Sequence, residues 1–369
     1  MSRTATIGSL LLFVALGASL ALYGPALPVL RERFGVDAGT SALVLSTHFA
    51  AAIAGIAGWT LLGRRLPTRV WTSAAAILLA TGAVGFALAP VWPIAIAASA
   101  VIGVGFGVLV VVLNLLFATG FGDRGAAMLN LLNASFGIGA TLGPLGFAAT
   151  GGYRIPFLGA AVLAAAGVPL VLGVPEAPTE ARLGRSSLLA PGLLGFVLLY
   201  MLYVGLESSA GAWVATNLMS GGAGEAAAAN WTAAFWAAMT VGRLLAIPLA
   251  LRIAPQWLVV GALGLATAGL ALAHSPTLAP AAFTLTGLAF GPVFPTGLAW
   301  LTRAVPSAGK STALVVAGAE VGGVAIPALT GRLIDISSES VVPTALLVVA
   351  LACLGTALVL YRLTSYPAG

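Results

Sequence analysis

Twelve apolar runs, each about as long as a bilayer is thick, follow one another along the chain, separated by short polar segments that hold most of its charge. The first six lie near Ile7–Leu30, Ala42–Leu62, Val70–Ala89, Pro93–Thr119, Ala126–Thr150 and Ile155–Val174. The second six lie near Leu188–Met219, Ala226–Leu251, Trp257–Ala273, Leu278–Thr302, Ser311–Ile334 and Val341–Leu360. A helix needs roughly 20 apolar residues to cross the hydrocarbon of a membrane. Alternation of apolar and polar residues over ~10 positions, which a transmembrane barrel would show, is not the pattern here. The most polar segment, Pro175–Ser187, stands between the sixth and seventh runs. The pattern predicts an all-α membrane protein of twelve transmembrane helices in two similar halves. The expected boundaries are 1–174 and 188–369, with 175–187 as the linker. The first run follows Arg3 but is too long for a secretory leader, carries Tyr23-Gly24-Pro25 near its end, and has no convincing cleavage site.

Composition agrees. Of 369 residues, 60% are hydrophobic and only 7% charged, where an ordinary soluble domain is about a quarter charged. The net charge of +6 is spread over short loops, with no basic stripe and interleaved aromatics, so no nucleic-acid partner is expected. Its distribution sets the expected orientation. With the N-terminus inside, cytoplasmic segments hold Arg3, Arg64, Arg65, Arg69, Arg124, Arg182, Arg185, Arg252, Arg303, Lys310 and Arg362, eleven in all. External segments hold four, Arg31, Arg33, Arg154 and Arg332. This asymmetry places both termini and the linker in the cytoplasm of a cell with this chain in its inner membrane. A single cysteine, Cys353, excludes a disulfide framework and a thiolate metal site. No metal and no cofactor are expected.

Charge within the apolar runs is rare, and such groups in membranes mark pathways or binding sites. The stretch Tyr203–Asn217 places Glu207 with Trp213 and Asn217, between Gly205 and Gly211. Those two glycines could loosen the helix around the acid, as in broken transporter helices; the alternative is a Glu207 that reaches the outer interface. Arg243 and Glu320 lie at similar depth, roughly 13 and 15 Å from the cytoplasmic helix ends at ~1.5 Å per residue, so they could pair. His48 in the second run, Asn114 in the fourth, Asn133 with Phe136 in the fifth and Trp236 in the eighth complete the set. Amides and carboxylates can read sugar hydroxyls, and aromatic faces can cover sugar C–H patches. Asn114, Asn133, Phe136, Glu207, Trp213, Asn217 and Trp236 are therefore the candidate substrate residues. Glu320, Arg243 and His48 are the candidates for coupling or gating. Each Trp could equally anchor at the interface, and each Asn could be an interhelical hydrogen bond.

Glycine and proline recur inside the runs. Gly137-x-Gly139-x-x-x-Gly143-Pro144 puts small residues on one face of the fifth, and Gly103, Gly105 and Gly107 do so in the fourth. Gly291-Pro292 and Pro295 are expected to break the tenth, and Gly318, Gly322, Gly323 and Pro327 to thin and bend the eleventh.

Six runs, a charged linker and six more resemble the major facilitator superfamily, as does Gly137–Gly146 in the fifth run. More narrowly, Leu129–Pro144, Tyr203–Asn217, Phe235–Arg252 and Gly287–Gly297 resemble the fucose/glucose/galactose permease group, with Gly322–Asp335 a weaker match. The resemblance implies two pseudo-symmetric six-helix bundles that move a small polar solute, a hexose or related sugar, by alternating access. It implies a monomer in contact with membrane lipid, and no enzyme. Two departures stand out. The loop L-L-G-R-R-L-P-T-R has Arg64 where the superfamily presents an acid, and Pro67 where glycine is usual. Proton-coupled fucose permeases carry acids on the first and fourth helices, at places that fall near Gly24 and Val110 here. The first and fourth runs hold no carboxylate. Uncoupled transport is then the expectation, with protons a possible partner only through Glu207 or Glu320. The alternatives are an exporter of drugs or metabolites, and a non-transporting receptor or lipid flippase on the same fold. No G-x-x-x-x-G-K-[ST], H-E-x-x-H or G-x-S-x-G occurs, which argues against an ATPase or an intramembrane hydrolase.

Overall fold

The computed structural model describes residues 1–177, 191–305 and 312–365. Most of the linker, together with Arg182, Arg185 and Lys310, lies outside the described residues. Among the described residues the structure is helical, without strands, and twelve stretches are long and apolar enough to cross a membrane. The helices are α1 (Arg3–Phe34), α2 (Ala38–Ser41), α3 (Leu43–Leu62), α4 (Thr68–Leu88), α5 (Trp92–Thr119), α6 (Gly125–Thr150) and α7 (Arg154–Leu170). They continue with α8 (Pro191–Ser220), α9 (Glu225–Ala250), α10 (Pro255–Leu272), α11 (Ala279–Phe290), α12 (Val293–Ala304), α13 (Thr312–Ile336) and α14 (Val342–Ser365). The contacts separate two compact units. One is Met1–Thr179 with Gly224–Ala233, and the other is Glu180–Ala223 with Ala234–Gly369.

The helix ends follow local chemistry. Ser2 caps α1 by accepting from the Ala5 amide. The same helix stops at Gly35, whose φ of 63° suits a residue without a Cβ. It therefore exceeds the expected Ile7–Leu30 at both ends. Arg33, in its last turn, donates to the Tyr153 hydroxyl and the Ala89 carbonyl, tying α1 to the ends of α4 and α7. The tenth span breaks into α11 and α12 at Gly291-Pro292, as its glycine and prolines lead one to expect.

Packing within each unit rests on backbones brought together by glycine. In the first unit α1 packs on α6, and α3 on α5. A Cβ on Gly139 would strike the Val14 carbonyl, and one on Gly103 the carbonyl of His48. In the second unit α13 packs on α8, where a Cβ on Gly322 would strike the Met201 carbonyl; likewise Gly287 of α11 meets the Phe235 carbonyl of α9. Between lipid-soluble helices no hydrophobic force selects partners, so such close contact and the dispersion it permits decide which helices adjoin.

One correction follows. Gly205 and Gly211 do not loosen the seventh span, because α8 is unbroken from Pro191 to Ser220. A Cβ at Gly205 would meet Ile326 and the Gly322 carbonyl, and one at Gly211 would meet the Trp236 ring. Their helical backbone is satisfied internally, and their missing side chains admit neighbours.

The arginine-rich loop before α4 recovers a carboxylate from elsewhere. Glu176, just after the sixth span, accepts from the Thr68 amide at 3.0 Å and from its hydroxyl at 2.9 Å. Thr68 Oγ1 in turn accepts from the Ala177 amide at 2.9 Å. These bonds to Thr68, helped by the nearby Arg69 charge, hold the Glu176 carboxyl below the usual carboxylate range.

Two predictions follow from this packing. Gly322→Ala should cost about 1–3 kcal/mol of stability through overpacking, whereas Gly264→Ala, with open space around it, should stay within ~0.5 kcal/mol. Thermal unfolding in detergent would read both, and equal melting temperatures would refute the backbone contact. Because the folded-state pKa of Glu176 is depressed, its contribution is present above the ordinary value of 4.5 and lost as pH falls through the folded value. Acidification below that value should therefore lower the melting temperature of the native protein more than that of Glu176→Gln.

Candidate functional site

In the first unit the polar side chains at depth are neutral. Asn114 of α5 donates to the Val110 carbonyl at 2.7 Å, and its Oδ1 accepts from Asn133 Nδ2 of α6 at 3.2 Å. Asn133 Nδ2 also donates to the Leu129 carbonyl at 2.9 Å. Both residues are half-buried. The pair bridges α5 and α6 while leaving the Asn133 carbonyl oxygen without a partner among these bonds. Phe136, one turn on, sets its ring 6.4 Å from that of Phe106. His48 is fully buried. Its Nδ1 lies 3.4 Å from the Tyr23 hydroxyl, its ring stands edge-on to Phe106 and Phe49, and its Nε2 has no partner. Tyr23, Phe86 and Phe157 extend this cluster through tilted and edge contacts.

Charge is concentrated in the second unit. Arg243 Nη2 of α9 lies 3.7 Å from Glu207 Oε1 of α8, the two side chains being 22% and 16% exposed. Arg243 also points a nitrogen at the Met239 sulfur, 3.4 Å away. Its ion-pair partner is thus Glu207, not Glu320. The Tyr203 hydroxyl, one helical turn before Glu207, is within hydrogen-bonding reach of that carboxylate and also donates to the Phe290 carbonyl at 2.9 Å. Tyr200 donates to the Phe294 carbonyl at 2.6 Å. The two tyrosines therefore hold the carbonyls on either side of the α11–α12 break, where Pro292 and Pro295 supply no amide hydrogen.

The other candidates divide by what their polar atoms do. Trp213 is fully buried and donates Nε1–H to the Pro327 carbonyl at 3.0 Å. Asn217 donates to the Glu339 carbonyl at 3.3 Å. Both are occupied by the backbone of α13 and the turn after it, next to a Ser209–Thr330 hydroxyl pair at 2.9 Å. Trp236 is buried with Nε1 unpartnered, its ring 5.2 Å from Phe235. Glu320 of α13 is 9% exposed, and its Oε2 is buried with no hydrogen-bond partner.

The structure thus brings Asn114 to Asn133 and Glu207 to Arg243, and it leaves Trp236 and Glu320 with free polar atoms. Tyr23, Tyr200 and Tyr203 were not singled out as site residues. Tyr200 and Tyr203 fall three apart on one helix face, a signal the sequence did offer. The cross-helix carbonyls they bind gave none. Among the described residues no group of acidic, histidine or cysteine side chains could hold a metal ion.

Comparison with known proteins places this arrangement. The family model described as Major Facilitator Superfamily matches residues 9–218. A mouse protein named sodium-dependent glucose transporter 1A is 27% identical over 96% of each chain. Among solved structures, a D-xylose-proton symporter superposes with a TM-score of 0.79 at 16% identity, over 96% of each chain. The nucleoside transporter NupG superposes at 0.75 with 15% identity, over 99% of each chain. These two show the fold. With twelve spans, the chain is an integral, multi-pass membrane protein.

Removing one member of the Glu207–Arg243 pair strands the other charge. For fully buried pairs that costs about 3–5 kcal/mol; the partial exposure here reduces it to about 1–3 kcal/mol after solvent screening. Arg243→Gln and Glu207→Gln should each lower the melting temperature, and the double variant should recover much of the loss. Additive losses in that cycle would mean the pair does not interact.

Proposed function

Since this chain belongs to the Major Facilitator Superfamily, we propose that it transports a hexose or related sugar across the membrane by alternating access. Family and fold are those of transporters of small molecules rather than of enzymes. The single observation that carries the sugar reading is the largely buried Glu207–Arg243 pair at mid-helix in α8 and α9. A carboxylate and a guanidinium side by side offer acceptors and donors at fixed spacing, which suits neighbouring hydroxyls. The half-buried Asn114–Asn133 amides of α5 and α6 supply the same neutral chemistry in the first unit. The free Trp236 N–H and the Phe136 ring add a donor and an apolar face. The mouse relative's name supports the choice of a hexose. Trp213 and Asn217 serve the site by bracing α8 against α13 and its following turn. The two halves 1–174 and 188–369, the cytoplasmic linker and the cytoplasmic termini belong to the same reading, on the charge asymmetry of the loops. So does function as a monomer.

A ligand that binds only the folded state raises its melting temperature. Purified protein should therefore be stabilised by D-glucose or a close hexose in a panel that also holds nucleosides, organic acids and amphiphilic drugs. Asn133→Ala and Glu207→Gln should weaken that shift at least tenfold in sugar concentration, ~1.4 kcal/mol of binding. A shift from amphiphilic drugs and none from any sugar would replace the sugar reading with that of an exporter.

A further inference from the structure

The charges of the second unit do not balance. Arg243 answers Glu207 at 3.7 Å, and no cation is within ion-pair distance of Glu320 among the described residues. Glu320 Oε2 is buried with no hydrogen-bond partner, in the middle of α13, and the Glu207 carboxylate bears on it electrostatically. The titratable or charged groups on the elements packed against α13 are few. They are Tyr200, Tyr203 and Glu207 of α8, Cys353, Tyr361 and Arg362 of α14, the Cys353 Sγ lying 3.8 Å from the Leu199 carbonyl, and Glu339 in the turn beyond the far end of α13, with Arg332 and Asp335 on α13 itself. Arg243, reaching from α9, is engaged with Glu207. A carboxylate whose Oε2 is buried without a partner is costly to keep as a bare anion beside a second carboxylate, and an accompanying cation would relieve that cost.

We propose that Glu320 is the binding site of one exchangeable monovalent cation, a proton or a sodium ion, whose movement is coupled to that of the solute. The coupling rests on the transport reading above; the cation site does not. It replaces the expectation of uncoupled transport, which rested on the missing acids at Gly24 and Val110. Glu207 is not the candidate for this role, because Arg243 already stands against it at 3.7 Å.

Infrared spectra of the protein in liposomes test the site without any solute. A neutral carboxyl has a C=O stretch that an ionised one lacks. A band that disappears on raising the pH, or on adding NaCl at fixed pH, and that is missing in Glu320→Gln but present in Glu320→Asp, is the expected result. Loss with pH alone identifies the proton, and loss with NaCl identifies sodium as its competitor. A spectrum indifferent to both, or the same in Glu320→Gln, would overturn the proposal. Flux of labelled D-glucose tests the coupling. An inward gradient of one pH unit, or a tenfold sodium gradient, should drive accumulation up to about tenfold. Glu320→Gln should only equilibrate glucose while keeping exchange of labelled for unlabelled sugar, and Glu320→Asp should restore accumulation. Wild-type protein that equilibrates glucose but never accumulates it would refute the coupling and leave the transport reading intact. Wild-type protein that moves no monosaccharide at all would refute the transport reading, and with it the coupling, while the spectra still decide the cation site.

Discussion

Each unit depends on helix backbones lying closer than any side chain would permit. Gly139 against Val14, Gly103 against His48, Gly322 against Met201 and Gly287 against Phe235 are the same device used four times. In lipid, apolar side chains gain nothing by leaving one apolar surface for another, so sequence hydrophobicity cannot choose partners. Steric permission does. Where two backbones touch, α1 meets α6, α3 meets α5, and α8 meets α13. The polar side chains that decorate those helices are then brought together as a consequence.

This explains what the chain reveals before its structure is seen. The spans were legible because a bilayer imposes length and composition on every one of them, and the break at Gly291-Pro292 was legible because proline carries no amide hydrogen. The glycines were visible too, but their use was not. Gly205 and Gly211 flank a carboxylate, and the same letters could mean a loosened helix or a tight contact; only the positions of Ile326 and Trp236 decide it. Depth alone likewise suggested Arg243 with Glu320. Depth is one coordinate of three, and the helix facing α9 at that level presents Glu207. Tyr23 opposite His48 had no sequence signal, since the two lie on different helices and share no spacing.

The two units divide the chemistry unequally. The first offers amides, an imidazole and phenyl rings; the second offers two carboxylates and a guanidinium. Missing acids in the first unit therefore do not leave the molecule without ionisable groups at depth. The loop before α4 likewise meets a carboxylate from outside it, Glu176, which is 108 residues from its partner Thr68 in sequence.

Tyr203 has a further consequence. A phenol carries one hydrogen, yet two acceptors lie within its reach, the Phe290 carbonyl at the break of the tenth span and the carboxylate of Glu207. Rotation about a single C–O bond chooses between them. When the hydrogen serves Glu207, the carbonyl at the end of α11 is left without that donor; when it serves the carbonyl, the carboxylate leans wholly on Arg243. The hydrogen bond at the break of the tenth span and the surroundings of Glu207 thus both depend on which way one hydroxyl turns.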